Sequence, residues 1–330
     1  MHYRKLGQTN IDVSVVCFGC WGIVGGFNWG PQDEQDSMTA LRTAYEQGVT
    51  FYDTAEAYGN GQSEQLLARG LGHARSKIVI ATKVSPNHFA EAEMRAACER
   101  SLQNLQTDYI DLYQLHWPNR DIPVAETLGI LEKLKVEGKI RAYGISNFGV
   151  GDLGDAVAAG RTISSNQLSY SLLFRAIEQQ ILPMCLKNQI SILTYSSLMQ
   201  GLLSGKYAAA DDVQPDRART RHYAGTRPHA RHGEAGAEAE TFTAVADVRK
   251  IAVEIGQPMA NVALAWLIAQ PGVTSVIAGA RNGDQACGLA DAADVTLTSA
   301  IIERLDQATS ALKHKLGPNP DMWQGQSRMR

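Results

Sequence analysis

The hydrophobic positions of this chain fall into short runs rich in β-branched residues. They lie at about 13–18, 49–52, 78–82, 109–115, 140–145, 163–166, 190–194 and 273–277, and each reads as a buried strand. Between most of them lie stretches with apolar residues at helical spacing: Gln35 to Gln47, Ser63 to Leu71, Glu91 to Leu105, Val124 to Glu137, Ile177 to Lys187, Phe242 to Ile255 and Asn261 to Ala269. Boundary residues agree with this periodicity. Gly48 follows the first long helix, Gly138 precedes Lys139-Ile140, and Pro258 stands near the start of a later helix. Such alternation predicts a parallel sheet covered by helices. Eight repeats with no split in composition favour closure into a single (β/α)8 TIM barrel over residues 1–330, with an open doubly wound sheet as the runner-up.

Two segments stand outside the rhythm. Tyr3 to Gly7 and Ile11 to Val13 are short extended pieces joined by Gln8-Thr9-Asn10, which predicts an N-terminal β-hairpin closing one end of the barrel, without a chemical role. Residues 208–240, between the seventh and eighth barrel strands, run from Ala-rich through Arg-rich to Gly/Ala/Glu-rich with no apolar period, which predicts a long loop insertion acting as a lid or mobile segment. His222, His229 and His232 fall within it among arginines, with no carboxylate or cysteine spaced to make a metal site.

The ends of the strands carry the chemistry. Asp53, Lys83 and His116 each follow an apolar run and are separated by 30 and 33 residues, about one strand and one crossover helix per step. With neighbouring strands ~4.8 Å apart, an acid, an ammonium and an imidazole come within roughly 10 Å of one another at the catalytic face of a barrel. Tyr58, five residues past Asp53, lies in the loop at the same face. A phenol with a pKa near ~10 is a weak acid at neutral pH, and a neighbouring Lys⁺ kept charged by a carboxylate stabilises its phenolate. His116 can donate to a substrate oxygen while Tyr58 supplies the proton, a pairing suited to hydride reduction of a carbonyl. Taken singly, Asp53 as a turn cap, Lys83 as a loop residue and His116 as a strand end have structural explanations; their recurrence on successive strands argues for a site.

Glycine-rich stretches do not supply a Rossmann or P-loop signature. Gly19 to Gly26 lacks the G-x-G-x-x-G order and runs into Phe27-Asn28-Trp29-Gly30, and Gly201 to Tyr207 lacks the spacer and the following Ser/Thr of a P-loop. Later strand ends instead carry hydrogen-bonding groups. Asn147 and Gln167 can hold a carboxamide, Tyr195 can stack on a flat ring, and Lys206 and Arg281 can meet phosphates.

The net charge of −3 gives no footprint for nucleic acid or an anionic membrane, so a small-molecule partner is expected. The basic start Met1-His2-Tyr3-Arg4-Lys5 leads into no apolar core, and no run approaches the ~20 residues of a membrane span, which predicts a cytoplasmic protein. Five scattered cysteines do not form a disulfide framework, and Cys17-Phe18-Gly19-Cys20 has no second pair to complete a zinc site. The sequence assigns no oligomeric state.

On these residues the chain resembles the aldo-keto reductase superfamily along nearly its whole length. Asp53-Thr54-Ala55-Glu56-Ala57-Tyr58-Gly59, Lys83 and Leu115-His116-Trp117 are similar to that family's four catalytic positions. Tyr195-Ser196-Ser197-Leu198, Gly201 to Lys206, and Trp21 followed by Gly25-Gly26 resemble its bacterial branch akin to the potassium-channel β subunits. The resemblance implies NADP(H) bound extended at the barrel mouth and reduction of aldehydes or ketones. It implies cofactor contacts at Cys20, Trp21, Asp53, Ser146, Asn147, Gln167, Tyr195, Ser196, Leu198, Gly201, Ser204, Lys206, Arg217, Gly279, Arg281 and Gln285, with Arg281 at the adenosine 2′-phosphate and Arg217 reaching over from the lid. No metal is implied. Gly288 and Leu289 depart from the family's adenine-binding Glu and Asn, and Ser197 stands where a proline is common. The competing classes are a cofactor-binding regulatory protein with little turnover and a metal-dependent barrel hydrolase, for which Asp53 and His116 alone qualify as ligands.

Overall fold

Eight parallel strands close on one another in sequence order: β3 (Val16–Gly19), β4 (Phe51–Asp53), β5 (Val79–Val84), β6 (Ile110–Leu115), β7 (Ile140–Ser146), β8 (Ser165–Ser169), β9 (Ser191–Tyr195) and β10 (Val273–Ala278), with β10 pairing back onto β3. The structure, a computed structural model, describes residues 1–26 and 29–330. Phe27 and Asn28, in the glycine-rich stretch read above, lie outside the described residues. The outer layer includes α1 (Glu34–Glu46), α2 (Gln62–Leu71), α3 (Glu91–Leu105), α4 (Val124–Val136), α5 (Val150–Ala158), α6 (Ile181–Lys187), α7 (Glu238–Glu254), α8 (Met259–Ile268), α9 (Gly283–Asp291), α10 (Ser299–Ala308) and α11 (Ser310–Leu316). Among the described residues, no single helix is long and apolar enough to cross a membrane.

The hairpin is present as antiparallel β1 (Tyr3–Lys5) and β2 (Asp12–Ser14). Its Leu6, Ile11 and Val13 pack in one cluster with Cys17, Phe51, Val79, Ala81, Leu112, Ala142, Leu193 and Ile277. These are the inward positions of the barrel strands, so the hairpin plugs the end opposite the strand termini. Gly7 is needed there: it has φ 52°, and a Cβ on it would collide with the Ser164 carbonyl. The alternate strand positions, such as Phe18, Tyr52, Ile80, Tyr113, Tyr143 and Leu168, pack outward in the larger cluster against the helices.

The period of two carries directly into the site. Two residues beyond inward Phe51, Ala81 and Leu112 come Asp53, Lys83 and Gln114, and two beyond Gln114 comes His116. Register holds them level: Asp53 pairs with Gly19 and Ala81, Lys83 with Gln114, and Ser146 with Gln167.

The fold departs from the sequence reading in several places. The sixth barrel strand was expected at 163–166, but β8 runs Ser165–Ser169, because its inward-facing positions Ser165, Gln167 and Ser169 are polar, as is outward Asn166, and an apolar scan ends too early. Gln167 therefore sits within the strand. The single helix expected from Ile177 is a 3₁₀ turn at Ala176–Glu178 followed by α6, where Pro183 is tolerated in the first turn. Helix α5 went unread because Gly151 and Gly154 weaken its pattern, and α9, α10 and α11 were unread as well.

The 208–240 insertion carries buried contacts at its centre. Ala218, Thr220, His222 and Tyr223 are buried. Arg221 pairs with Glu234 at 2.9 Å and donates to the carbonyls of Leu316 (2.8 Å) and Asn319 (3.2 Å). His222 Nε2 and His232 Nε2 lie within hydrogen-bonding distance of the Leu173 and Thr220 carbonyls. Its last residues, from Glu238, already belong to α7.

Candidate active site

The three strand-end residues meet as the spacing predicts. Lys83 is fully buried, and its Nζ donates to Asp53 Oδ1 at 2.6 Å, to the Thr54 carbonyl at 2.9 Å and to the Tyr58 hydroxyl at 3.3 Å. Burial alone would strip the proton from such a lysine. Asp53 outweighs it and holds the ammonium well above the ordinary lysine value. Asp53 Oδ2 in turn accepts from Gln167 Nε2 at 2.7 Å and Gln114 Nε2 at 3.3 Å, so both carboxylate oxygens are occupied.

Tyr58 is placed by its loop. Its backbone N–H donates to the Ala55 carbonyl at 3.0 Å, its carbonyl accepts from Ser63 at 3.2 Å, and Glu56 beside it accepts from the Ser85 N–H at 2.7 Å and contacts His88 at 2.9 Å. The ring stacks on Trp21 with centroids 5.7 Å apart, and His116 meets it edge-on at 5.8 Å. Burial raises the Tyr58 pKa, and Lys83 draws it back only in part, so the phenol remains protonated at neutral pH. Lys83 therefore makes this phenol a better acid than burial alone would leave it, without bringing it below the ordinary tyrosine value. His116 is driven down to about 3, chiefly by burial and then by Lys83, so its imidazole is neutral and can donate from one nitrogen.

Around this centre lie the residues expected to hold a cofactor. Tyr195, last in β9, donates its hydroxyl to Asn147 Oδ1 at 2.8 Å, and Asn147 Nδ2 donates to the His116 carbonyl at 3.0 Å and to Ser146 Oγ at 3.1 Å. Asn147 and Ser196 both have left-handed backbones, φ 63° and 53°. Gln167 commits its Nε2 to Asp53, leaving Oε1 as the group that can accept from a carboxamide. Leu198 is half-buried, Ser204 is exposed and bonds the Gly201 carbonyl at 2.7 Å, and Lys206 folds across Gly201. Ser197, in the place of a proline, is buried and donates to the Ile277 carbonyl at 2.9 Å.

At the far end, Arg281 donates through Nε to Gln32 Oε1 at 2.5 Å and through its terminal nitrogen to the Pro31 carbonyl, and Gly279 is exposed beside it. Asn282 caps α9 by accepting the Gln285 N–H at its Oδ1, and Gln285 Oε1 accepts from the N–H of Arg281 just before the cap, both at 3.0 Å. The guanidinium of Arg217 lies 5.7 Å over Trp29, which meets Trp21 edge-on at 5.4 Å. Leu289 is buried in the core face of α9, which explains an apolar residue there. Cys20 is placed apart from this polar surface, its thiol fully buried and pushed up by burial.

Sequence reasoning missed Gln114, which the period of two from Lys83 and His116 would have found. It also missed the segment 318–330. There Asp321 holds Arg328 at 2.7 Å, Arg328 lies 3.9 Å over the ring of Trp117 beside His116, and the Trp323 side chain lies close enough to Tyr195 to draw its pKa down against burial. No local pattern marks that tail as part of the mouth.

The inward ammonium, carboxylate and phenol, the neutral imidazole, and the amide, aromatic and basic groups around them are donors and acceptors of the kinds a nicotinamide dinucleotide needs. Comparison with known proteins agrees with this geometry. The relatives include the aldo-keto reductase YhdN of Bacillus subtilis, 34% identical over 310 residues and covering 91% of each chain. They also include an NADH-specific methylglyoxal reductase of Escherichia coli, 30% identical over 339 residues, covering 93% of this chain and 98% of that one. An aldo/keto reductase from Klebsiella pneumoniae, solved with NADP and acetate, superposes with a TM-score of 0.73 at 29% identity over 98% of both chains. A family model described as the aldo/keto reductase family matches residues 15–310, and the chain belongs to that family.

Proposed function

We propose that this chain is an NADPH-dependent reductase of aldehydes or ketones, with Tyr58 as the proton donor. The observation that carries the reading is Lys83 Nζ, buried and charged, bonded at once to Asp53 and to the Tyr58 hydroxyl. A bound nicotinamide cofactor supplies the hydride. As the carbonyl carbon receives it, the oxygen gains negative charge and takes the Tyr58 proton; the Tyr58 O–H bond breaks and Lys83 stabilises the phenolate left behind. His116, neutral, donates an N–H to the same oxygen and fixes its position. Asp53 keeps Lys83 charged, and Gln114 and Gln167 keep Asp53 oriented. Trp21, Trp29 and Trp117 form an aromatic wall that suits small carbonyl compounds.

For the cofactor, Ser146, Asn147 and Gln167 would hold the carboxamide and Tyr195 the ring face. Lys206, Arg217 and Arg281 would meet the phosphates. Arg281, already oriented by Gln32 and Pro31, would select the 2′-phosphate, so the preference for NADPH over NADH rests on it. The test is oxidation of NADPH and of NADH with a panel of aromatic and aliphatic aldehydes, with binding followed by cofactor fluorescence, for wild type and Arg281→Ala. Turnover with NADPH, and an NADPH-to-NADH affinity ratio that collapses in the variant, support the reading. An unchanged ratio removes Arg281 from the assignment. Tight binding with no turnover across the panel would instead make the chain a cofactor-sensing regulator.

A further inference from the structure

We propose that Arg219 is an anion-binding group at the substrate end of the barrel mouth, so that the preferred carbonyl substrates carry a carboxylate remote from the reacting carbon. This rests on the reductase reading above.

Arg219 is 8% exposed, and its Nε is buried without a hydrogen-bond partner. Two other arginines of the insertion are neutralised, Arg221 by Glu234 and Arg227 by Glu238 and Asp211, while half-buried Arg217 lies over Trp29. Among the described residues, Arg219 pairs with no carboxylate at bonding distance. Burial and the nearby Arg231 both disfavour its charge, and Asp216 offsets them only in part. A guanidinium left so is costly unless an anion completes it.

Its position separates it from the cofactor's phosphates. Arg217 and Arg281 both attach to the segment 29–32, through Trp29 and through Pro31 and Gln32. Arg219 attaches instead to the C-terminal tail: its guanidinium lies 4.7 Å over the ring of Trp323. The Trp323 side chain lies close enough to Tyr195 to draw its pKa down against burial, and Tyr195 is joined through Asn147 to the His116 carbonyl. Arg328, on the same tail and over Trp117, is already neutralised by Asp321. Of the two guanidiniums at the His116 side, Arg219 is the one with charge to offer, about one indole away from Tyr195.

The test compares 4-carboxybenzaldehyde with methyl 4-formylbenzoate, its neutral ester, at saturating NADPH. Wild type should favour the carboxylate by about tenfold in kcat/KM, chiefly through KM, and lose that preference as salt rises. In Arg219→Gln the carboxylate-to-ester ratio should fall to near one, and Arg219→Lys should restore part of it. No preference in wild type, or equal loss for both aldehydes in Arg219→Gln, overturns the proposal. A weakened NADPH affinity with an unchanged ratio also overturns it and assigns Arg219 to the cofactor. If neither aldehyde is reduced, the reductase reading fails, yet calorimetric titration with terephthalate still decides the subsite: equal affinity in wild type and Arg219→Gln refutes it. If Arg219→Gln fails to fold, the salt dependence of the wild-type ratio and the Arg219→Lys ratio decide instead.

Discussion

Asp53→Asn should turn Lys83 from a permanent cation into a neutral amine, and the change should be visible in the pH dependence of stability. In the wild type the buried ammonium is held above its ordinary value by Asp53 at 2.6 Å. Its stabilising contribution is therefore complete below the unfolded pKa of ~10.4 and is lost only as pH rises through the higher folded value, so Lys83 adds no slope between pH 7 and 9. An asparagine cannot serve both sides of the site. If its oxygen takes the place of Oδ1, its NH₂ faces the amide donors of Gln114 and Gln167; if it is turned over, its NH₂ faces Lys83. Breaking one partner of a buried pair costs about 3–5 kcal/mol. Burial then acts on Lys83 against only the Tyr58 hydroxyl and the Thr54 carbonyl, and carries its folded pKa below the unfolded one. Between those values the unfolded chain binds the extra proton, and stability rises with pH by up to about 1.4 kcal/mol per unit. The deficit of Asp53→Asn relative to wild type should accordingly shrink between pH 7 and pH 9, by up to about 2.7 kcal/mol if the folded value drops below 7. Urea melts of both proteins at pH 7, 8 and 9, followed by tryptophan fluorescence, measure it. A deficit that stays constant or widens over that range would refute the reasoning.

Three further outcomes follow from the same geometry. Gln114→Leu removes a donor 3.3 Å from a charged acceptor while Gln167 remains, worth about 1.5 kcal/mol, so kcat should fall roughly tenfold with KM little changed in steady-state assays; an unchanged kcat would contradict its positioning role. Because the His116 pKa is lowered to about 3, the pH profile of kcat/KM should show no inflection from it between pH 5 and 8, and folding should lose stability as pH falls below ~6.5, a loss that His116→Gln should lessen. An inflection near pH 6.5 that vanishes in His116→Gln would contradict the neutral imidazole. If residues 208–240 close over the cofactor through Arg217 on Trp29, NADPH should slow tryptic cleavage between Arg217 and Arg231, and equal rates with and without it would remove the lid.

The barrel and its reactive centre were legible because the strand positions before Asp53, Lys83 and His116 are apolar and the steps between them match one βα unit. What escaped reading did so for physical reasons. Strand β8 is polar within, so hydrophobicity misplaced it and hid that Gln167 faces Asp53. Lys83 could be paired with Tyr58 by charge, but the net direction of the Tyr58 shift depends on its burial, which spacing does not report. Trp323 and Arg328 reach the mouth through contacts across some 130 and 210 residues of chain, with Tyr195 and Trp117, and such closure has no local signature. Gln285, a cofactor contact by the family resemblance, also bonds across the start of α9, and Leu289, which departs from the family's adenine-binding residue, fills the core face of that helix.

The most direct test of the central claim compares wild type with Tyr58→Phe in NADPH consumption with 4-nitrobenzaldehyde, followed at the cofactor's absorbance band, with NADPH affinity measured separately by fluorescence. The account predicts wild-type turnover, a loss of about a hundredfold or more in the variant, and matching NADPH affinities, since the missing hydroxyl is the proton donor and not a cofactor anchor. Turnover by Tyr58→Phe at the wild-type rate would contradict it.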